Sequence, residues 1–130
     1  MAGPRILVIE DDDGSRDGLG SLLTEYGYVV RTAASGFEAL LSASEFRPDA
    51  VVCDFCLPDL DGLQILRRLR ATGRDIFIIM VSAGRYGPGE ERALRREADI
   101  FLEKPIDLDR LRGALLRVSS TPDEAARALS

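Results

Sequence analysis

Five short apolar runs rich in β-branched residues recur along the chain, each followed by a stretch with helical spacing or turn signals. They are Arg5 to Glu10, Tyr28 to Ala33, Ala50 to Asp54, Ile76 to Ser82 and Ile100 to Lys104. Runs of this length between turn residues read as buried strands. Ile6, Leu7, Val8 and Ile9 show no polar alternation, as expected of a strand covered on both faces. Ile76 to Ser82 is the most apolar and is therefore expected to be internal. Strands alternating with helices in this way specify an α/β chain with a doubly wound parallel sheet.

The intervening segments carry helix signals of unequal strength. Leu19, Leu22, Leu23 and Tyr26 share one helical face and Gly27 supplies a stop, but Gly14, Gly18 and Gly20 make this helix dependent on packing. Ser35 and Glu38 form a capping-box signature for a second helix that ends near Arg47, before Pro48. A third runs from about Asp61 to Ala71, with Leu63, Leu66 and Leu69 spaced for one face and Gly73 as its stop. Between strands four and five, the Pro/Gly-rich run Gly84 to Gly89 predicts an irregular loop. The fourth helix is expected to start near Gly89 or Glu90, to be short or irregular, and to be the most mobile element. Leu108, Leu111, Leu115 and Val118 mark the fifth helix. Residues 1–118 thus read as one domain. The 119–130 tail, with a further helix-start signature at Thr121 to Glu124, reads as a last turn or the start of a linker to an output domain.

Composition removes several function classes. The 130 residues carry 17 Lys and Arg against 22 Asp and Glu, a net charge of −5 that gives no electrostatic reason to expect direct nucleic-acid binding. No apolar run reaches bilayer-spanning length and the first residues lack a signal-peptide core, so a cytoplasmic setting without membrane contact is expected. The absence of histidine excludes Ser-His-Asp and Cys-His catalysis and His-ligated metals. Cys53 and Cys56 form a CxxC, but residues three apart on a strand point to opposite faces, which opposes a disulfide. Cys53 is expected to be a small core residue.

The carboxyl edge of such a sheet is where ligands bind. Glu10, Asp11 and Asp12 follow strand one, Asp54 ends strand three, Ser82 ends strand four and Lys104 ends strand five. Each has an ordinary explanation alone: helix capping, a turn, or a solvated charge. Together they make a set that suits a hard cation and a phosphoryl group. Clustered carboxylates without His or thiolate ligands favour a partly hydrated Mg²⁺. A carboxylate nucleophile gives an acyl phosphate, and a lysine and a hydroxyl would bind the remaining phosphoryl oxygens.

These motifs in this order resemble the receiver domain of two-component response regulators, over about residues 5 to 118. The likeness rests on Ile6 to Asp12, Asp54 to Gly62, Val81-Ser82-Ala83 and Phe101 to Pro105. It implies a flavodoxin-like five-stranded parallel sheet of order 2-1-3-4-5 with five helices. It further implies that Asp54 accepts a phosphoryl group from a sensor histidine kinase or phosphotransfer protein. Glu10, Asp11, Asp54 and the Cys56 backbone carbonyl would hold Mg²⁺, for which Mn²⁺ can substitute. Ser82, the Ala83 backbone and Lys104 would bind the phosphoryl oxygens. Ser82 and Phe101 would form the switch that alters the helix-four, strand-five, helix-five face toward a downstream effector domain or protein. Pro58, Gly62 and Pro105 would shape the site, Pro105 through a cis bond.

Two features depart from the family pattern. Glu97 stands where Gly usually ends helix four, and the loop from Tyr86 to Gly89 is unusually Pro/Gly-rich. The standard helix-four surface, and a homodimer built on it, therefore do not carry over automatically. An aspartate-nucleophile phosphatase of the haloacid-dehalogenase type is the enzymatic alternative, but it needs a second Asp two residues past the nucleophile, where this chain has Cys56. A receiver-like binding module that is never phosphorylated is the other alternative, and the intact acid, Ser and Lys set argues against it. No Gly-rich phosphate loop follows strand one, so a nucleotide-binding reading lacks support.

Overall fold

The computed structural model describes residues 3–84 and 86–119. In chain order the elements are β1 (Arg5–Ile9), α1 (Asp13–Glu25), β2 (Val29–Ala33), α2 (Gly36–Phe46), β3 (Ala50–Asp54), α3 (Gly62–Ala71), β4 (Phe77–Ser82), α4 (Pro88–Glu97), β5 (Ile100–Glu103) and α5 (Leu108–Ser119). All strand pairs are parallel, and the sheet order is β2-β1-β3-β4-β5. The order inverts beside β1 and β3, so the loops after these strands diverge and leave a crevice at their carboxyl ends.

Alternation along the strands divides the core in two. Leu7, Ile9, Val51, Cys53, Ile78 and Met80 face one side, where they meet Ala39 and Ala43 of α2, Ile65, Leu66 and Leu69 of α3 and Leu94 of α4. Ile6, Val8, Val52, Ile79 and Val81 face the other, against Leu23 of α1 and Leu111 and Leu115 of α5. Each inner strand is buried on both faces, which is why its sequence lacks polar alternation. The glycine-weakened α1 nevertheless runs 13 residues, held by this packing and by Asp12, whose carboxylate accepts from the Ser15 amide at 2.8 Å.

Helix four begins one residue before the expected Gly89. Gly87 is its N-cap and Pro88 takes the first helical position, where a missing N–H costs nothing. At ten residues α4 matches α3, and the irregularity expected of this region is confined to the loop before it. The tail signature at Thr121 to Glu124 lies outside the described residues. Cys53 is buried, Cys56 is exposed, and the two form no disulfide. Among the described residues no helix is long and apolar enough to cross a membrane.

Candidate functional site

Asp54 is the last residue of β3, and Glu10 follows β1 directly; both are nearly buried, at 9% and 7% exposure. Lys104, just past β5, donates from Nζ to Asp54 Oδ2 at 3.0 Å and to Glu10 Oε1 at 3.1 Å. The exposed Asp11 completes a carboxylate cluster, one oxygen from each of Glu10, Asp11 and Asp54 lying within 4.8 Å of the others. One ammonium group thus spans two acids, while a third approaches them from solvent. A pocket of ≈ 240 Å³ opens here, lined by Glu10, Asp54 and Lys104 and by Val8, Leu19, Val52 and Ile106.

Glu10 Oε2 is buried and has no hydrogen-bond partner among the described residues. Burial, followed by the neighbouring Asp54 carboxylate, pushes the Glu10 carboxyl up to about 7, against the opposing pull of Lys104. Burial works against the Lys104 charge, but its bonds to Asp54 and Glu10 outweigh this and hold it above the ordinary lysine value. A buried carboxylate oxygen without a partner amid three acids is what a hard divalent cation would satisfy, so the donor set fits Mg²⁺.

The β3–α3 loop is shaped around Asp54. The Cys56 amide donates to Asp54 Oδ1 at 3.2 Å, and the Gly62 amide donates to the Phe55 carbonyl at 2.8 Å. A Cβ on Gly62 would lie 2.8 Å from Phe55 Cα, so only glycine permits this return of the chain. Pro58 is exposed in the turn between. Asp59 then fastens the loop to the first turn of α2, accepting from the Gly36 amide at 2.7 Å and the Phe37 amide at 2.8 Å.

On the other side, Ser82 is buried at the end of β4, and its Oγ accepts from the Gly84 amide at 3.1 Å. Ala83 follows it and is exposed. The Lys104 amide donates to the Ser82 carbonyl at 2.8 Å, and the Lys104–Pro105 bond is cis. Phe101 is half-buried on β5, edge-on to Tyr86 with ring centres 5.9 Å apart, and Tyr86 is likewise edge-on to Phe55 at 5.9 Å. Arg95 stacks on Phe101 with its guanidinium 4.6 Å from the ring centre.

Glu10, Asp11, Asp54 and Lys104 therefore converge, while Ser82 and Ala83 end the adjacent strand and Phe101 joins an aromatic cluster. Sequence reasoning did not find Arg16, Asp59 or Tyr86. Arg16 and Asp59 act on backbone atoms, which leave no side-chain periodicity. Tyr86 had a signal, as a lone aromatic in a Pro/Gly-rich loop.

The model of the response regulator receiver domain matches residues 6–116, and the chain belongs to this family. It is thereby a regulatory domain of two-component phosphorelay signalling, a class that binds Mg²⁺ at an acidic pocket and works with sensor kinases and effector domains. The chain is similar to "Response regulator MprA" of Mycobacterium ulcerans (strain Agy99), 40% identical over 126 residues, covering 94% of this chain and 54% of that protein. The protein of the same name from Mycobacterium sp. (strain KMS) is 43% identical over 123 residues, covering 92% and 53%. The chain thus spans about half the length of the curated relatives it matches. Among solved structures, a Francisella response regulator receiver domain superposes with a TM-score of 0.75 at 30% identity, covering 88% of this chain and 93% of that one. A Clostridium thermocellum receiver domain gives 0.81 at 26% identity, covering 97% and 98%. The haloacid-dehalogenase reading finds no support in these relationships.

Proposed function

We propose that Asp54 accepts a phosphoryl group from the phosphohistidine of a sensor histidine kinase or phosphotransfer protein, in a Mg²⁺-dependent reaction. The observation that supports this reading is the Lys104 ammonium bridging Asp54 and Glu10 beside Asp11. A carboxylate oxygen of Asp54 attacks phosphorus, the phosphorus–nitrogen bond to the donor imidazole breaks, and the imidazole takes its proton from water. Glu10, Asp11, Asp54 and the Cys56 carbonyl would hold Mg²⁺ (or Mn²⁺), which when bound neutralises charge on the transferring group.

The chain's own groups do the rest. Lys104 releases one of its carboxylate bonds to pair with a phosphoryl oxygen, and the Ser82 hydroxyl and Ala83 amide bind another. The Gly84 amide already uses one lone pair of Ser82 Oγ, leaving the hydroxyl proton to donate. Moving Ser82 toward the phosphoryl group opens space for Phe101 to turn inward. That turn changes the face formed by α4, β5 and α5, which passes the signal to a downstream effector domain or protein. A homodimer on this face is one form such an output takes. The chain acts as a phosphoacceptor, catalysing only its own phosphorylation and dephosphorylation.

Incubation with Mg²⁺ and acetyl phosphate tests the reading. A mass gain of one phosphoryl group, absent with EDTA and absent in Asp54→Asn, is expected. Unchanged mass in the wild-type chain, or a gain that survives Asp54→Asn, overturns it.

A further inference from the structure

Two of the three acidic residues of the β1–α1 loop, Glu10 and Asp11, are held from behind by a cation. Arg16, in the first turn of α1, sends Nη1 to the Glu10 carbonyl at 3.1 Å and to the Asp11 carbonyl at 3.4 Å. Its Nη2 donates to Asp13 Oδ1 at 2.6 Å. The side chain is only 16% exposed, so this is a seated guanidinium and not a solvated one. The Glu10 amide is meanwhile fixed by donation to the Ala33 carbonyl at 3.0 Å. Both peptide groups flanking the Glu10 side chain are therefore anchored, and the Asp11 carbonyl is gripped by the same fork.

We infer that Arg16 is a positioning residue for the divalent-cation site: by gripping the Glu10 and Asp11 carbonyls it sets the loop so that both carboxylates meet Asp54. The inference rests on the Mg²⁺ reading proposed above and adds a residue that touches neither cation nor phosphoryl group. Electrostatics alone predict the opposite of what positioning predicts. A positive charge behind a cation site repels the cation, so its removal by itself tightens binding. The ion pair with Asp13 offsets part of that repulsion, which lets a guanidinium sit here with limited penalty. Only arginine has a fork that reaches two carbonyls and a carboxylate at once; a lysine brings one point charge.

The sign of the effect decides. Mg²⁺ affinity is measured by calorimetry on the wild-type chain, Arg16→Met and Arg16→Lys, with circular dichroism to establish folding. Positioning predicts weaker binding in both variants, by about tenfold, the usual loss when groups that orient ligands are removed. At saturating Mg²⁺ the acetyl phosphate reaction then recovers most of its rate, a split that general damage to the fold does not produce. Equal or tighter Mg²⁺ binding in Arg16→Met overturns the inference. If Arg16→Met does not fold, Arg16→Lys decides alone: weaker binding in a folded chain supports positioning, unchanged binding overturns it. A wild-type chain that binds no Mg²⁺ overturns the underlying site reading itself, whatever the variants do.

Discussion

Lys104 Nζ lies 3.0 Å from Asp54 Oδ2 across a sequence separation of fifty residues. The carboxyl ends of β3 and β5 bring them together at one edge of the sheet, and the same ammonium reaches Glu10. Replacing Lys104 with Gln removes the charge opposite the transferring group while keeping much of the side-chain length. A fall of about 10²-fold in the acetyl phosphate reaction rate is expected, the usual cost of losing one aimed donor. Mg²⁺ binding should be retained or tighter, because a competing cation is gone. Quenched-flow mass spectrometry and calorimetry measure the two quantities separately.

The pH dependence of the metal-free protein follows from Glu10. Its carboxyl is pushed up from 4.5 to about 7 by burial and by Asp54, so between these values the folded chain binds a proton that the unfolded chain has released. Stability from this group is therefore present at and below pH 4.5 and declines as pH rises through about 7, by about 1–3 kcal/mol. Thermal melts of wild-type and Glu10→Gln chains from pH 4.5 to 8 check this, the variant lacking that part of the slope. Mg²⁺ should raise the wild-type Tm more at pH 8 than at pH 5, because proton and cation compete for the same carboxylate.

Two glycines in contact with the Asp54 loop differ in what surrounds them. A Cβ at Gly62 meets backbone, at 2.8 Å from Phe55 Cα and 3.2 Å from the Asp54 carbonyl oxygen, and neither can yield without moving the acceptor. At Gly36 its three nearest neighbours are all Leu60 side-chain atoms, from Cβ at 2.8 Å to Cγ at 3.0 Å. Gly62→Ala is expected to cost about 1–3 kcal/mol and to slow phosphorylation, whereas Gly36→Ala costs less and leaves the rate near wild type. Urea melts with the kinetic assay establish the ranking; equal effects would contradict it.

Much of this arrangement was legible in the chain. The five strands, the internal position of β4 and the acids and Lys104 at strand ends all follow from local apolar runs and their breaks. Period and turn chemistry record which face and which edge a residue occupies. They do not record side-chain contacts to distant backbone, so the grip of Arg16 on two carbonyls and the Asp59 clasp on α2 were invisible. The Gly/Pro run before α4 reads as helix-breaking, which points to a start near Gly89 or Glu90, whereas the helix starts at Pro88. Pro88 is instead an initiator, and Glu90 turns back to accept from the Gly87 amide at 3.1 Å.

Glu97, where a glycine would be usual, takes a role of its own. It receives a two-pronged bond from Arg67, Nε to Oε1 at 3.0 Å and Nη2 to Oε2 at 2.9 Å, and this guanidinium holds its carboxyl below the ordinary glutamate value. The pair ties the end of α4 to α3, so it opposes displacement of α4. Glu97→Gly and Arg67→Ala should each speed amide exchange in α4, and the double variant should be no faster than either. Additive acceleration in hydrogen-exchange mass spectrometry would show that the pair is not the tether.

The identity of the modified atom is the most direct test of the central claim. The chain is treated with Mg²⁺ and acetyl phosphate, digested, and each peptide is read by mass spectrometry before and after hydroxylamine. The account predicts one phosphoryl group, on the peptide containing Asp54, removed by hydroxylamine as an acyl phosphate must be. A phosphoryl group that resists hydroxylamine, or that maps to Ser82 or to any carboxylate other than Asp54, would contradict it.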